Sequence, residues 1–215
     1  MKLLTPVLRI AALALVLVAG PSLSFASILG VDIVGGGIGL VNPNDYTLGW
    51  GFDLTQSITV TSLGYWDEGG DGFGENHEVG IWAADQTLLA STTVTNASPN
   101  VVASTSGFGS WHFQPLASGL QLDAGTYFIG GTHTGPDQFR TLVSDIALGP
   151  GIVNFVSGRF EFGGSLQFPA QTESSAFSLY GPNFEYEADA VPEPTTLGLL
   201  GLGVMGLAKA RRRKA

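Results

Sequence analysis

The chain has 215 residues, none of them cysteine, and only 13% are charged; these figures exclude a disordered acidic tail, a disulfide scaffold, a cysteine nucleophile and a Cys-ligated metal site. Nine basic and 18 acidic residues give a formal net charge of −9, but residues 27–190 hold only two of the bases against 17 of the acids. That segment, with a net charge of −15, repels nucleic acid and anionic membranes and attracts cations.

The first 26 residues have the three-part order of a secretory signal peptide. Lys2 and Arg9 supply the basic start, and a run of eleven apolar or small residues follows. Ser24 and Ala26 then place small side chains at the −3 and −1 positions of a cleavage site. We therefore expect a signal helix over residues 1–26 that the Sec export machinery recognises. The alternative is a buried N-terminal helix.

The middle of the chain, residues 27–190, is predicted to be one β-rich domain. It has no long amphipathic helical period, and turn-forming Gly, Asn, Asp and Pro separate short runs rich in Val, Ile, Thr and aromatic residues. The clearest of these runs, each predicted to be a strand, are Thr47–Leu54, Ser57–Trp66, Glu78–Ala83, Leu88–Thr95, Ser110–Leu116, Thr126–Thr132, Ile152–Phe162 and Ala176–Glu187. Period-two alternation within them predicts one buried and one solvated face. The expected fold is all-β, an antiparallel, jelly-roll-like β-sandwich, with a strand–turn–strand unit over Leu120–Tyr127.

Residues 67–78, DEGGDGFGENHE, form the most highly charged stretch. Asp67, Asp71 and Glu78 fit positions 1, 5 and 12 of the calcium-loop pattern, and Glu75 stands at position 9. Position 3 lacks its carboxylate and the flanks are predicted strands, so we do not expect a true EF-hand. Crowded acids repel one another, and a hard cation with oxygen ligands would relieve that repulsion. The predicted calcium ligands are Asp67, Asp71, Glu75 and Glu78; the alternative is a solvated hairpin loop whose acids point outward.

Other candidate sites are less specific. His77, His112 and His133 lack the spacing of a zinc motif, so hydrogen-bonded or surface roles are expected. No nucleophile elbow, phosphate-binding loop or dinucleotide fingerprint occurs. Trp66 borders the acidic stretch and is the candidate for stacking on a sugar, although core packing is the commoner role of large aromatics. Acids are numerous enough for a glycosidase pair, but their spacing nominates no particular two.

The C-terminus has an ordered plan of its own. Val191, Pro192, Glu193 and Pro194 precede a run of twelve apolar or glycine residues and then an arginine-rich end. Twelve helical residues cover only ~18 Å, against a hydrocarbon core of ~30 Å. We therefore predict a short hydrophobic helix and a transient insertion into the inner membrane through residues 195–208, with the basic end left in the cytoplasm.

The whole tail, residues 191–215, closely resembles the PEP-CTERM sorting signal, in which motif, short span and basic end occur together. In that family an exosortase, a membrane transpeptidase of Gram-negative bacteria that make exopolysaccharide, recognises the tail. The resemblance implies cleavage near the motif, followed by release or transfer to the cell surface or extracellular matrix. The alternative is an ordinary single-pass tail anchor.

A second resemblance covers roughly residues 45–130. The sequence LGYWD at residues 63–67, the acidic glycine loop and the sequence VGIW at residues 79–82 look like a module that is common in PEP-CTERM proteins. That module is of uncharacterised function and resembles the sandwiches of carbohydrate-binding domains. It supports the fold more than any activity.

The sequence therefore predicts a signal peptide (1–26), a β-sandwich domain (27–190) and a sorting signal (191–215). We expect a non-enzymatic component of an exopolysaccharide or biofilm matrix, or a carbohydrate-binding module, with calcium as its only cofactor. A secreted glycan hydrolase is the competing function, which a cleft with two close carboxylates would favour. A third possibility is a self-assembling adhesive protein, which exposed edge strands would suggest.

Overall fold

The structure is a computed structural model, and it describes residues 27–35, 39–40, 44–173 and 177–188. The predicted signal helix and the predicted hydrophobic helix of the tail lie outside these residues. Within the described part of the chain, no helix has the length and apolar character needed to cross a membrane.

The described residues form sixteen strands and one short 3-10 helix, Val143–Asp145. The strands are β1 (Ile28–Leu29), β2 (Val31–Ile33), β3 (Gly39–Leu40), β4 (Tyr46–Leu54), β5 (Ile58–Glu68), β6 (His77–Ala83), β7 (Leu88–Val94), β8 (Asn100–Ala103), β9 (Gly109–Leu122), β10 (Gly125–His133), β11 (Phe139–Leu142), β12 (Ile146–Leu148), β13 (Val153–Phe162), β14 (Gln171–Thr172), β15 (Phe177–Tyr180) and β16 (Pro182–Ala188). Every pairing among them is antiparallel. The predicted all-β antiparallel class is confirmed.

Two larger sheets dominate the fold. The five-stranded sheet has the order β1-β16-β5-β9-β8, and the six-stranded sheet has the order β14-β13-β4-β10-β6-β7. Two small sheets, β15-β11-β3 and β12-β2, complete the described strands. The chain crosses from one larger sheet to the other between β4 and β5, between β5 and β6, between β7 and β8, and between β9 and β10. The jelly-roll-like connectivity stays a prediction.

The main core lies between the two larger sheets and is rich in aromatic rings. Trp50 and Phe52 of β4 lie 5.9 and 4.9 Å, between ring centroids, from Phe184 of β16 in the opposite sheet. All three side chains are fully buried. The indole Nε1 of Trp50 also donates to the carbonyl of Pro182 at 3.0 Å. Because large aromatics bury much apolar area, these contacts hold the two sheets face to face.

Glycines and one loop shape the outer face of the six-stranded sheet. Gly49, Gly130 and Gly80 are cross-strand neighbours on β4, β10 and β6. A Cβ at Gly49 would lie 1.9 Å from the carbonyl oxygen of Ile129, so no side chain fits there. The covering loop, residues 163–170, lies over this row: a Cβ at Gly80 would meet its Leu166, and one at Gly130 would meet its Pro169.

Candidate functional site

An acidic pocket of about 300 Å³ opens where the β5–β6 loop meets the β10–β11 loop. It lies at the end of the sandwich where β5 and β10 finish and β6 and β11 begin. Its lining residues are Trp66, Asp67, Glu68, Asp71, Gly72, Gly74, Pro136, Asp137 and Gln138. Four of these nine residues carry a carboxylate, so the pocket concentrates negative charge and favours a cation or a hydrogen-bond donor.

Left-handed glycines let the β5–β6 loop fold back on itself. Gly69, Gly70 and Gly72 have φ values of 84°, 67° and 95°, a region that other residues rarely enter. The carboxylate of Asp67 accepts the backbone N–H of Gly72 at 3.1 Å, which closes the turn. The glycines and Asp67 together set the shape of the pocket wall.

Asp67 is itself buried, with only 3% of its surface exposed. Its Oδ2 lies 3.1 Å from Nε2 of His112, on the neighbouring strand β9. The carboxylate therefore has an imidazole partner and an amide partner. Only a small part of Asp67 is open to the pocket.

The second wall residue, Glu68, is paired with a buried arginine. Arg140 of β11 is 2% exposed and binds Glu68 through two hydrogen bonds, Nε to Oε2 at 2.8 Å and Nη2 to Oε1. The indole of Trp66 donates to the same Oε2 at 2.7 Å. A bidentate arginine–carboxylate pair fixes both groups in orientation, so this pair ties β11 to β5 beneath the pocket.

Asp137 joins the two loops across the pocket. Its carboxylate accepts the amides of Gly74 at 2.9 Å and Glu75 at 3.2 Å, and it lies 3.1 Å from Nε2 of His77. Burial raises the pKa of Asp137, but its contact with the His77 ring and the hydrogen bonds from the two amides outweigh the effect of burial, and the pKa lies below its ordinary value of 3.8. A depressed carboxyl pKa adds stability at neutral pH that is lost as the pH falls through the folded-state value.

A cluster of three potential metal ligands lies beside the pocket. Glu75, His77 and Asp137 each offer one ligand atom, and these atoms all lie within 4.8 Å of one another. His77 is fully buried, and its ring stacks on that of Tyr65 with centroids 3.6 Å apart. Glu75 accepts the backbone N–H of Thr134 at 2.7 Å and also its hydroxyl. We call these three side chains the Glu75–His77–Asp137 triad.

Tyr65 lies behind the triad and stays neutral. Burial raises the pKa of its phenol well above 10.0, and the nearby charges of Glu75 and Asp137 raise it further. Its hydroxyl lies 3.5 Å from Nδ1 of His133. Tyr65 therefore supplies packing and a hydrogen bond to this end of the sandwich, and no charge.

The four predicted calcium ligands do not all line one pocket. Asp67 and the exposed Asp71 line the acidic pocket, whereas Glu75 belongs to the triad. Glu78 is exposed on β6 and lines a different pocket of about 370 Å³ with Ser91, Thr92, Thr93 and Leu166. The structure thus places two of the four acids together, a third beside them and the fourth apart.

Trp66, the predicted stacking residue, is fully buried. Its ring lies 5.0 Å from that of Trp111, its cross-strand partner on β9. It contributes to the pocket wall, but neither face of the indole is open to solvent. The role that the structure gives Trp66 is to pack the core and to hold Glu68.

Sequence reasoning did not select Asp137, Arg140 or His77 as site residues. His77 lies within the acidic stretch, but Asp137 is 60 residues further along the chain and Arg140 is 72 residues beyond Glu68. Strand pairing brings them together, and no local spacing encodes that. The one available signal was that Arg140 is one of only two bases between residues 27 and 190.

Two family models match the chain. One is described as "Domain of unknown function (DUF4082)" and covers residues 40–179; the other is the PEP-CTERM protein-sorting motif and covers residues 190–214. The second match confirms the resemblance seen in the tail and implies an exported protein that an exosortase sorts to the cell envelope or surface. No curated protein and no solved structure matched.

Proposed function

The chain belongs to the DUF4082 family of domains of unknown function, and from this and its sorting motif we propose that it is a non-enzymatic component of the cell surface or exopolysaccharide matrix. The observation that carries the proposal is the combination of an exosortase sorting motif with a fixed acidic pocket. The motif implies a location outside the cell, and the pocket gives the domain a means of binding there. Within this role it acts as a carbohydrate-binding module.

The proposed route begins with Sec export directed by the signal peptide at residues 1–26. The apolar run then inserts transiently into the inner membrane through residues 195–208, and the exosortase of a Gram-negative host removes the tail. The basic end supports this route, because a cluster of arginines stays on the cytoplasmic side.

The contacts within the pocket favour binding over hydrolysis. A glycosidase needs one carboxyl group whose pKa is raised so that it can act as an acid. The pKa of Asp137 is instead lowered. Glu68 is held by Arg140, and Asp67 is held by His112. Carboxylates that are fixed in this way serve as acceptors for hydroxyl groups or as ligands for a cation.

Calcium binding at the acidic pocket is the second part of the proposal. Of the predicted ligands, Asp67 and Asp71 face the pocket, and Asp137 adds a carboxylate from the opposite loop. Ca²⁺ takes six to eight oxygen ligands, including backbone carbonyls and waters. Carboxylates together with the exposed backbone of a glycine loop are suitable ligands of this kind.

Added Ca²⁺ is expected to raise the Tm of the full chain, purified in detergent, by several degrees. A ligand at 100 times its Kd stabilises the folded state by about 2.7 kcal/mol, and each kcal/mol shifts the Tm of a domain of this size by roughly 2–4 °C. Asp71→Asn should reduce the shift. Asp123→Asn, an equal charge change in the β9–β10 turn at the far end of β5, is the control. The absence of any shift at millimolar Ca²⁺, or equal shifts in both variants, would remove calcium from the proposal.

Glycan binding predicts that the full chain is retarded in gels that contain a polysaccharide. The paired variant Asp71→Asn with Asp137→Asn should lessen the retardation about tenfold, because it replaces two carboxylate acceptors in the pocket by amides. Trp66→Ala is less informative, since it would remove a fully buried ring. Retardation that the paired variant leaves unchanged would contradict binding at this pocket, and release of reducing sugar ends would identify the hydrolase instead.

A further inference from the structure

We propose that the Glu75–His77–Asp137 triad is a binding site for one divalent transition metal of the zinc class. The three ligand atoms are mutually within 4.8 Å, which suits ligands of one small ion. The site shares Asp137 with the calcium site proposed above, but it is built around an imidazole nitrogen, whereas Ca²⁺ prefers oxygen ligands throughout. The inference does not depend on the proposed surface function.

The first step concerns the hydrogen on the His77 ring. Its Nδ1 lies 2.8 Å from the carbonyl oxygen of Thr132. A carbonyl oxygen only accepts, so Nδ1 carries the hydrogen. In the neutral imidazole, Nε2 then carries no hydrogen and presents a lone pair. This lone pair belongs to a side chain with no exposed surface.

The second step is what that lone pair faces. Nε2 lies 3.1 Å from Oδ2 of Asp137, a side chain of a type that is ordinarily ionised at neutral pH. An imidazole lone pair and a carboxylate oxygen are both acceptors, so they repel unless a cation lies between them. Among the described residues, no hydrogen-bond donor reaches Nε2. A proton or a metal ion must therefore occupy this position.

Charge balance favours the metal ion. A proton on His77 would leave one positive charge against the two carboxylates of Glu75 and Asp137. A divalent ion bound to a neutral His77 and the two carboxylates makes the cluster electrically neutral. Neutrality matters here because His77 is fully buried and Asp137 is only 12% exposed, and uncompensated charge is costly away from water.

The surroundings of the triad are those of oriented metal ligands. A metal-binding histidine usually donates its other ring N–H to a carbonyl or carboxylate, as His77 does to Thr132. The carboxylate of Asp137 is held by the amides of Gly74 and Glu75, and that of Glu75 is held by Thr134. Asp137 also lines the acidic pocket, which provides a path from solvent for the ion.

The choice of zinc class follows from the ligand types. One imidazole and two carboxylates form a set that Zn²⁺ and neighbouring first-row divalent ions accept. Three protein ligands are one short of the four that zinc takes in a closed structural site. A water molecule is therefore expected to complete the coordination.

The test uses the full chain, stripped with EDTA and titrated with Zn²⁺ in a calorimeter and with Co²⁺ by visible absorption. We expect one equivalent of either ion to bind, with Co²⁺ giving the visible bands of a bound ion. His77→Gln and Glu75→Gln should each weaken Zn²⁺ binding at least tenfold. His112→Gln is the matched control, since it changes another buried histidine with an aspartate partner and should leave the affinity unchanged. If His77→Gln does not fold, Glu75→Gln, which alters a partly exposed side chain, still decides the matter.

Failure of the wild-type protein to bind Zn²⁺ or Co²⁺ at roughly 100 µM would overturn the proposal. The position between Nε2 of His77 and Oδ2 of Asp137 would then be assigned to a proton. Binding that survives both His77→Gln and Glu75→Gln would overturn it equally, by placing the ion elsewhere. The calcium proposal is judged separately: its thermal shift should persist in His77→Gln and weaken in Asp71→Asn. Each proposal can therefore fail without the other.

Discussion

Replacing Pro192, Glu193 and Pro194 together by alanine is expected to abolish delivery of the protein to the cell surface. These residues form the core of the sorting motif matched at residues 190–214, so an exosortase should no longer recognise the tail. The unprocessed chain should accumulate in the inner membrane with its basic end intact. The apolar run still favours insertion into the membrane, and the arginines still favour the cytoplasmic side. Cell fractionation, with intact mass measurement of the protein in each fraction, checks both expectations.

The matched control is Glu187→Ala, which removes a nearby acid at the end of β16 but leaves the motif untouched. Its delivery should equal that of wild type. If the triple-alanine variant still reaches the surface without its tail, then the motif does not direct processing. If it reaches the surface with the tail attached, exosortase cleavage is not needed for delivery.

Arg140→Met is expected to lower the free energy of unfolding by about 3 kcal/mol. Arg140 is 2% exposed and holds Glu68 through two hydrogen bonds. Removing one partner of a buried ion pair leaves the other charge without compensation, which typically costs about 3–5 kcal/mol. The lower end of this range applies because the Glu68 side chain is 19% exposed to solvent. Chemical denaturation, followed by tryptophan fluorescence, measures the change.

A double-mutant cycle separates the ion pair from simple packing. Glu68→Gln in the background of Arg140→Met should recover part of the lost stability, because the stranded charge is gone. Arg159→Met is the control: its guanidinium lies 4.5 Å from the centroid of the Phe128 ring and is partly exposed, so the loss should be about 1 kcal/mol. Equal losses for the two arginines, or no recovery in the double variant, would contradict a strong buried pair.

The strands that sequence predicts well are those whose burial alternates. On β5, Ile58 and Val60 are buried while Thr59 and Thr61 are partly exposed, and the prediction over Ser57–Trp66 falls within two residues of the observed bounds. Alternation of apolar and polar residues does not identify a strand that is buried on both faces or is very short. The strands over residues 28–40 and β8, Asn100–Ala103, were not predicted, since two to four residues cannot display a period.

Two boundary differences have clear physical causes. The prediction that ended at Leu116 missed residues 117–119 of β9, which are small and have no apolar pattern, whereas Leu120–Leu122 had been predicted as a separate strand before the turn. The predicted strand over Ala176–Glu187 is interrupted at Gly181, which separates β15 from β16. A Cβ at Gly181 would lie 2.5 Å from the ring of Tyr65, a tertiary contact that local sequence does not encode. The predicted turn between Leu120 and Tyr127 is confirmed, with β9 and β10 on either side.

The position of the site could be predicted from sequence, but its geometry could not. The acidic stretch at residues 67–78 does form a wall of the pocket. Which acids face inward depends on partners from other strands: His112 holds Asp67, and Arg140 holds Glu68. These partners lie far along the chain and became neighbours only through the order β5-β9 in one sheet and the β10–β11 connection. Spacing within the loop carries no information about them.

The covering loop over Gly49, Gly80 and Gly130 closes the outer face of the six-stranded sheet. The backbone N–H of Gln167 in this loop donates to the hydroxyl of Thr47 at 3.2 Å, so the loop is attached to the sheet that it covers. A long sugar polymer could bind along this face of the six-stranded sheet only if the loop were displaced first. The acidic pocket lies at the end of the sandwich instead, so a polymer bound there would contact the loops of the molecule and not this covered face.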